Sequence, residues 1–213
     1  MKLTPSMLRL YAVTDRSWSA DEADFWRRVS EAMEGGAQVV QLREKHLSHE
    51  AMLRAAERFV ALCRKCGVVS IINDDVEAAV ASGADGVHVG QEDLEAGRAR
   101  ALLGPDKLIG VSAHNVEEAL AAQAAGADYL GVGAAFVTGT KSDAAPISRE
   151  TIRAITQAVD IPVVAIGGIG PENILDLAGC GLDGVAVVSA LFAREDTAQA
   201  ARQMRALAEQ IAR

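Results

Sequence analysis

The feature of this sequence that most restricts its fold is a regular alternation of short, β-branched apolar runs with longer amphipathic segments. The amphipathic segments, such as residues 21–36 and 49–67, carry their apolar residues at helical spacing. The short runs are apolar on both faces, which is typical of parallel strands that are covered on both sides. Eight such runs occur, at residues 8–14, 38–43, 68–73, 86–90, 107–112, 129–133, 163–167 and 184–189.

Eight strand–helix units of about 27 residues each fill the 213-residue chain, which favours a closed barrel over an open doubly wound sheet. No linker, low-complexity stretch or run of like charges divides the sequence. We therefore predict the α/β class and a single (β/α)8 TIM barrel, one domain over residues 1–213.

A near-repeat supports this count of strands. The segments "SGADGVHV", "AGADYLGV" and "CGLDGVAV" each place a glycine and then an acid directly before a strand, at Asp85, Asp128 and Asp183. Glycine permits the left-handed turn that ends a helix, and the acid can accept hydrogen bonds at the tight turn into the strand. We predict a structural role for these three acids.

Composition excludes several classes of function. The net charge of -8 and the pI near 5.0 leave no basic surplus for nucleic acid or an anionic membrane surface. No apolar run approaches the roughly 18 residues that a membrane span needs. Three cysteines, an odd number, favour a reducing compartment, so we expect a cytoplasmic protein.

The active site of such a barrel gathers at the C-terminal ends of the strands. The second strand ends in "QLREK", where period-two alternation places Gln41, Arg43 and Lys45 on one face. An amide and two cations would suit an anionic ligand that forms hydrogen bonds. The alternative is a solvated strand end with salt bridges to Glu44.

Acids also follow two neighbouring strands. Asp74 follows the third strand and Asp93 follows the fourth, so both carboxylates could reach one hard cation such as Mg²⁺. Asp75 is better placed to cap the next helix, and capping is the alternative role for Asp93 as well.

Phosphate-compatible groups follow the last three strands. The segment "TGTKS" (138–142) lacks the spacing of a P-loop, but its hydroxyls and lysine would suit a loop that closes over phosphate; a plain surface loop is the alternative. Gly167 and Gly168 at the end of the seventh strand and Ser189 at the end of the eighth occupy the usual phosphate seat of such barrels. We expect His88 to face the barrel core as a neutral group. His114 follows Ser112 and could touch a ligand, and whether either histidine does so stays open.

Taken together, these motifs resemble thiamine phosphate synthases, in order and over essentially the whole chain. The resemblance is carried by "LYAVTD", "QLREK", "INDD…ADGVHVGQEDL", "IGVSAHN", "GADYLGVG", "TGTK", "AIGGI" and "GVAVVSA". It implies a barrel enzyme that joins a pyrimidine-methyl diphosphate to a thiazole phosphate and releases pyrophosphate in the presence of Mg²⁺.

The resemblance also implies a role for each matching residue. The pyrimidine diphosphate would be bound by Gln41, Leu42, Arg43, Glu44, Lys45, Asn73, Ser112 and Lys141. The thiazole phosphate would be bound by Thr138, Gly139, Thr140, Gly168, Val188 and Ser189. Mg²⁺ would be held by Asp74 and Asp93. Val137 departs from the related sequences, which often have a proline there.

The reaction expected from this resemblance is a dissociative substitution, in which Lys141, Arg43 and Ser112 are the catalytic residues that stabilise the departing pyrophosphate together with Mg²⁺. Two other functions stay open. One is a thiazole tautomerase of the same barrel group, which needs no metal, and the other is an inactive sensor of a phosphorylated ligand. A homo-oligomer is also compatible with the sequence.

Overall fold

Eight short parallel strands pair in chain order and close into a barrel, because β1 pairs with both β2 and β8. The structure, a computed structural model, describes residues 3–90, 96–138 and 146–213. Its strands are β1 Leu10–Val13, β2 Val39–Leu42, β3 Val69–Asn73, β4 Gly86–Val89, β5 Leu108–Ala113, β6 Tyr129–Gly133, β7 Val163–Ile166 and β8 Gly184–Val187. Seven of the predicted apolar runs contain one of these strands and the run at 107–112 overlaps β5, which ends one residue later, so the predicted (β/α)8 TIM barrel is confirmed.

The helices lie between the strands and after the last one. In the described residues they are α1 Glu22–Glu34, α2 His49–Cys66, α3 Val76–Ser82, α4 Ala96–Leu103, α5 Val116–Ala124, α6 Arg149–Ala158, α7 Ser189–Phe192 and α8 Thr197–Ile211. Asp75 caps α3 by accepting a hydrogen bond from the N–H of Ala78, as predicted. The connection from β7 to β8 holds a short 3₁₀ helix, Ile174–Leu177, where the other connections have α-helices.

Two apolar cores hold the barrel together. The larger core lies between the strands and the surrounding helices. The smaller core fills the barrel interior with inward-facing side chains from the strands, including Tyr11, Val39, Ile71, Tyr129 and Val164. The barrel is therefore closed by packed side chains below its mouth.

The three acids of the near-repeat form the floor of the barrel, which we define as Asp85, Asp128 and Asp183 with their hydrogen-bond partners. Asp85 accepts from the N–H of Ser70 at 2.9 Å, and Asp128 from the N–H of Ile109 at 2.8 Å. Each acid thus ties the start of its own strand to the strand before it. The predicted structural role is confirmed.

Asp183 is the most deeply buried of these acids, with 1% of its surface exposed. It accepts a hydrogen bond from the N–H of Val163 at 2.8 Å, and Arg213 donates to both of its carboxylate oxygens at 3.0 and 3.1 Å.

Among the described residues, no helix is both long and apolar enough to cross a membrane.

Candidate active site

Two adjoining cavities open at the C-terminal ends of the strands. The first has a volume of about 800 Å³ and is lined by residues from every strand or the loop that follows it, among them Val13, Asp74, His114 and Ile166. The second has a volume of about 1110 Å³ and is lined by the loops after β1, β2, β6, β7 and β8. Both cavities are lined by Arg43, Thr138, Gly168, Ile169 and Ser189.

Most of the predicted site residues meet at these cavities. The first cavity is lined by Gln41, Arg43, Asn73, Asp74, Ser112, Thr138, Gly168, Val188 and Ser189. The second is lined by Arg43, Glu44, Lys45, Thr138, Gly168 and Ser189. The predictions for Asp93, Gly139, Thr140 and Lys141 lie outside the described residues.

The "QLREK" segment shows why alternation along a strand matters. Gln41 and Arg43 face the first cavity, whereas the side chain of Leu42 is fully buried in the outer core. Glu44 forms an ion pair with Arg16 at 2.7 Å, and the Arg16 guanidinium also stacks over a phenylalanine ring. Of the side chains that the structure describes, none forms a hydrogen bond or ion pair with the guanidinium of Arg43. That cation therefore faces the cavities ready for an anionic ligand.

Asp74 has an unusual backbone conformation, with φ at +62°, which among residues other than glycine is best tolerated by Asp and Asn. Its N–H donates to the carbonyl of His88 at 2.9 Å, and its carboxylate accepts a hydrogen bond from the side chain of Asn73. The turn leaves an exposed carboxylate at the cavity, with hard oxygen atoms of the kind that Mg²⁺ prefers. Across the described ranges, no three acidic, histidine or cysteine side chains group closely enough to hold a metal ion.

Gly168 brings two cavity loops together. Its φ is +66°, and a Cβ at this position would lie 2.5 Å from the carbonyl oxygen of Val137. The loop after β6 is also held there by a hydrogen bond from the N–H of Phe136 to the carbonyl of Gly167, at 3.0 Å. Only glycine allows this close approach without strain.

Polar side chains also lie inside the barrel at the base of the first cavity. Hydrogen bonds connect Gln41, Tyr11, Tyr129, His88 and Ser112 in that order. Burial raises the pKa of both tyrosines above the ordinary phenol value, so each hydroxyl keeps its proton. The sequence predicted the inward position of His88 but gave no reason to single out either tyrosine.

His114 and Glu118 form a second polar feature at the rim of the first cavity. Nδ1 of His114 and its backbone N–H both lie 2.8 Å from Oε2 of Glu118. Burial alone would raise the pKa of Glu118, but the hydrogen bonds from His114 and Asn115 outweigh it and hold that pKa below its ordinary value. The sequence indicated His114, and the structure pairs it with Glu118.

A closed barrel with two adjoining cavities at its mouth, lined by an amide, a guanidinium, hydroxyls and a carboxylate, is typical of a (β/α)8-barrel enzyme for small anionic molecules. Comparison with known proteins identifies the family within this class of barrel enzymes. The family model described as thiamine monophosphate synthase matches residues 10–191. The chain therefore belongs to the thiamine monophosphate synthase family, and it is an enzyme of the transferase class.

Individual relatives agree with this assignment. A thiamine-phosphate synthase of Chloroflexus aurantiacus is 54% identical over 201 residues, which cover 93% of this chain and 92% of the relative. One from Alkaliphilus oremlandii is 47% identical over 92% of this chain and 94% of its own length. The solved structure of thiamine phosphate pyrophosphorylase from Pyrococcus furiosus superposes with a TM-score of 0.88 at 38% identity, covering 97% of this chain and 98% of that one.

Proposed function

We propose that this enzyme condenses 4-amino-2-methyl-5-(diphosphomethyl)pyrimidine with 4-methyl-5-(2-phosphoethyl)thiazole to give thiamine phosphate and pyrophosphate. The observation that carries this proposal is the pair of adjoining cavities with a common wall. A reaction between two separate phosphorylated molecules needs two binding spaces that bring the reacting atoms together.

The lining residues suggest how the two substrates divide the space. Gln41, Asn73 and Ser112 line the first cavity alone, which suits the pyrimidine and its diphosphate. Thr138, Gly168 and Ser189 belong to the common wall, which suits the thiazole phosphate. The reacting carbon and nitrogen would then meet beside that wall.

In the proposed reaction, the bond between the pyrimidine methylene carbon and the diphosphate oxygen breaks first, and the oxygen keeps both electrons. The amino group of the pyrimidine ring stabilises the resulting cation by resonance. The thiazole nitrogen already has a lone pair, so it forms the new carbon–nitrogen bond without a base to remove a proton. The task of the protein is to hold that nitrogen next to the methylene group.

The charge that grows on the departing pyrophosphate is the second demand on the protein. The guanidinium of Arg43 can donate two parallel hydrogen bonds to phosphate oxygens, and Ser112 can donate its hydroxyl proton. We propose that Lys141, which lies between β6 and α6 in the sequence, adds an ammonium group. Donors placed in advance around developing charge are usually the largest contribution to rate.

We also propose Mg²⁺ as the cofactor, held by Asp74 and Asp93. The carboxylate of Asp74 lines the first cavity, where it would meet a diphosphate. When bound there, the ion would neutralise part of the negative charge of the leaving group.

One observation favours a second candidate, a thiazole tautomerase. The pair of His114 and Glu118 at the rim of the first cavity is suited to moving a proton, and such an isomerase would need no metal. The two candidates predict different products from the same assay.

The test is to incubate the enzyme with both proposed substrates and Mg²⁺, and to measure pyrophosphate and thiamine phosphate. We expect equal amounts of both products, none when either substrate is omitted, and loss of activity with a chelator that added Mg²⁺ reverses. Isomerisation of a thiazole without metal, and without pyrophosphate release, would instead support the tautomerase.

Lys141→Ala tests the proposed catalytic role of that lysine. We expect the single-turnover rate to fall by roughly 10²–10³, as for the loss of one oxyanion donor. Lys65→Ala, at the exposed end of α2, is the matched control and should keep the wild-type rate. An unchanged rate in Lys141→Ala would remove that residue from the proposal.

A further inference from the structure

A continuous line of hydrogen-bonded side chains crosses the barrel interior at the base of the first cavity. Nε2 of Gln41 lies 2.7 Å from the hydroxyl of Tyr11, which lies 2.9 Å from that of Tyr129. Nδ1 of His88 lies 3.1 Å from the Tyr129 hydroxyl, and Nε2 of His88 lies 3.1 Å from Oγ of Ser112. We call these five side chains the buried polar chain. Both of its ends line the first cavity.

The barrel wall is shaped around the buried polar chain. A Cβ added to Gly110 on β5 would overlap the ring of Tyr129 and come within 2.5 Å of Nδ1 of His88. A Cβ on Gly131 would lie 3.0 Å from Cε1 of His88. The two tyrosine rings pack edge to face, with centroids 5.9 Å apart. Two inward-facing glycines therefore leave the space that the tyrosine and histidine rings fill.

The number of available protons determines which group donates and which accepts in each hydrogen bond of the buried polar chain. Each tyrosine hydroxyl has a single proton to donate. The amide nitrogen of Gln41 faces Tyr11 and donates to it, so Tyr11 donates to Tyr129, and Tyr129 donates to Nδ1 of His88. If Tyr129 instead donated to Tyr11, the buried proton of Tyr11 would have no acceptor within the buried polar chain. His88 therefore carries its proton on Nε2 and donates it to Ser112.

This direction determines what each end offers to a ligand. Because the nitrogen of the Gln41 amide is turned to Tyr11, its carbonyl oxygen is the atom left to accept a hydrogen bond from the cavity side. Because Ser112 accepts from His88, its own proton is directed to an acceptor other than that histidine. The buried polar chain thus orients Gln41 to accept a hydrogen bond from a ligand and Ser112 to donate one.

We propose that Tyr11 and Tyr129 are positioning residues that set the specificity of the first cavity for a ligand with an N–H donor at Gln41 and an anionic oxygen at Ser112. This inference rests on the proposed function, in which the donor is the amino group of the pyrimidine and the oxygen belongs to its diphosphate. In a pyrimidine with an oxo group in place of the amino group, the oxo oxygen would face the Gln41 carbonyl oxygen. Both atoms are hydrogen-bond acceptors, so no hydrogen bond could form between them. Sites built around such hydrogen bonds reject the mismatched ligand strongly.

The first test compares kcat/KM for the aminopyrimidine diphosphate and its oxo analogue in wild type, Tyr11→Phe and Tyr129→Phe. We expect each variant to lower the preference for the amino compound at least about tenfold, and the double variant to lower it little further, because one broken link interrupts the whole chain. The ratio of two substrates on one sample does not depend on the folded fraction. Thr156→Val removes a buried hydroxyl outside the chain and should keep the wild-type preference.

The second test needs no turnover. The ¹⁵N shifts of the His88 ring, assigned with a His88→Gln variant, report which nitrogen carries the proton. We expect the proton on Nε2 in wild type, with or without inorganic pyrophosphate, and a larger share of the Nδ1–H form in Tyr129→Phe.

The outcomes separate this inference from the proposed function. If wild type fails to turn over the aminopyrimidine diphosphate, the proposed function is wrong. The position of the proton on the His88 ring then still tests the order of donors and acceptors in the buried polar chain. A wild-type proton on Nδ1, or an undiminished preference for the amino compound in both phenylalanine variants, would overturn the inference while the proposed function stands.

Discussion

The floor and the mouth of this barrel use the same kinds of polar side chain in opposite ways. At the floor, Asp85, Asp128 and Asp183 each accept a backbone N–H from the neighbouring strand, and Arg213 completes the bonding of Asp183. At the mouth, the Arg43 guanidinium faces two cavities and no carboxylate from the described residues pairs with it.

This difference separates stability from function within one fold. Bonds made within the protein at the floor stabilise the closed barrel, so their loss should appear in the free energy of unfolding. Groups at the mouth are directed at a ligand, so their loss should appear in the reaction rate. Substitutions at the two ends provide ways to test whether that separation holds.

The largest effect is expected for Arg43→Gln at the mouth. Loss of the cation that faces both cavities should lower kcat/KM by roughly 10²–10³, because the leaving pyrophosphate loses a charged donor. Stability should change by no more than about 0.5 kcal/mol, since no bond within the protein is broken. Pyrophosphate release measures the rate, and urea unfolding measures the stability.

Arg58→Gln is the control for this change, because Arg58 lies on the outer helices and pairs with Glu22 across exposed surface. It should leave the rate unchanged. A strong loss of stability in Arg43→Gln would show that the mouth also supports the fold, which would break the comparison.

A somewhat smaller effect, on stability instead of rate, is expected for Asp183→Ala at the floor. The variant leaves the N–H of Val163 buried and Arg213 without its carboxylate, so the free energy of unfolding should fall by about 2–3 kcal/mol. Urea unfolding measures this loss. The rate per folded molecule should stay near that of wild type.

Asp183→Asn keeps one acceptor oxygen and should retain part of the stability, which separates the hydrogen bond from the charge. If Asp183→Ala lost activity without losing stability, the floor would have a functional role that its buried position does not explain.

The smallest effect concerns Glu118 at the rim of the first cavity. Its pKa is lower in the folded protein than the ordinary value of 4.5, so its bonds to His114 and Asn115 add stability above that value. The contribution should be lost as the pH falls through the lower folded pKa. For this partly exposed pair we expect about 0.5 kcal/mol.

Unfolding measured between pH 6 and pH 3 in wild type and Glu118→Gln gives the comparison. The variant should lack this part of the pH dependence, and the two stabilities should converge at low pH. A difference that grows as the pH falls would contradict the sign of the shift.

The order of the strands and most of the cavity lining could be predicted from the sequence, because both follow from local patterns. Apolar runs identify strands, and the residues at or just after their C-terminal ends, such as Asn73 and Asp74, must lie at the mouth. The repeated acids at Asp85, Asp128 and Asp183 were predictable for the same reason, since a short turn fixes where each one lies.

The remaining features depend on contacts between distant parts of the chain. Tyr11 and Tyr129 each look like ordinary core aromatics, and only the register of a closed barrel brings their hydroxyls together. The partner of Glu44 is Arg16, on a different loop, whereas local reasoning considered only salt bridges within its own strand end. Asp74, which has a positive φ, likewise donates its N–H to the carbonyl of His88 on β4.

The wall shared by the two cavities has a practical consequence for inhibition. A single molecule with an anionic group at each end, long enough to pass Arg43 and Gly168, could occupy both spaces at once. Once one end is bound, the other is held near its own site at a high effective concentration, so the tethered compound should bind far more tightly than either half.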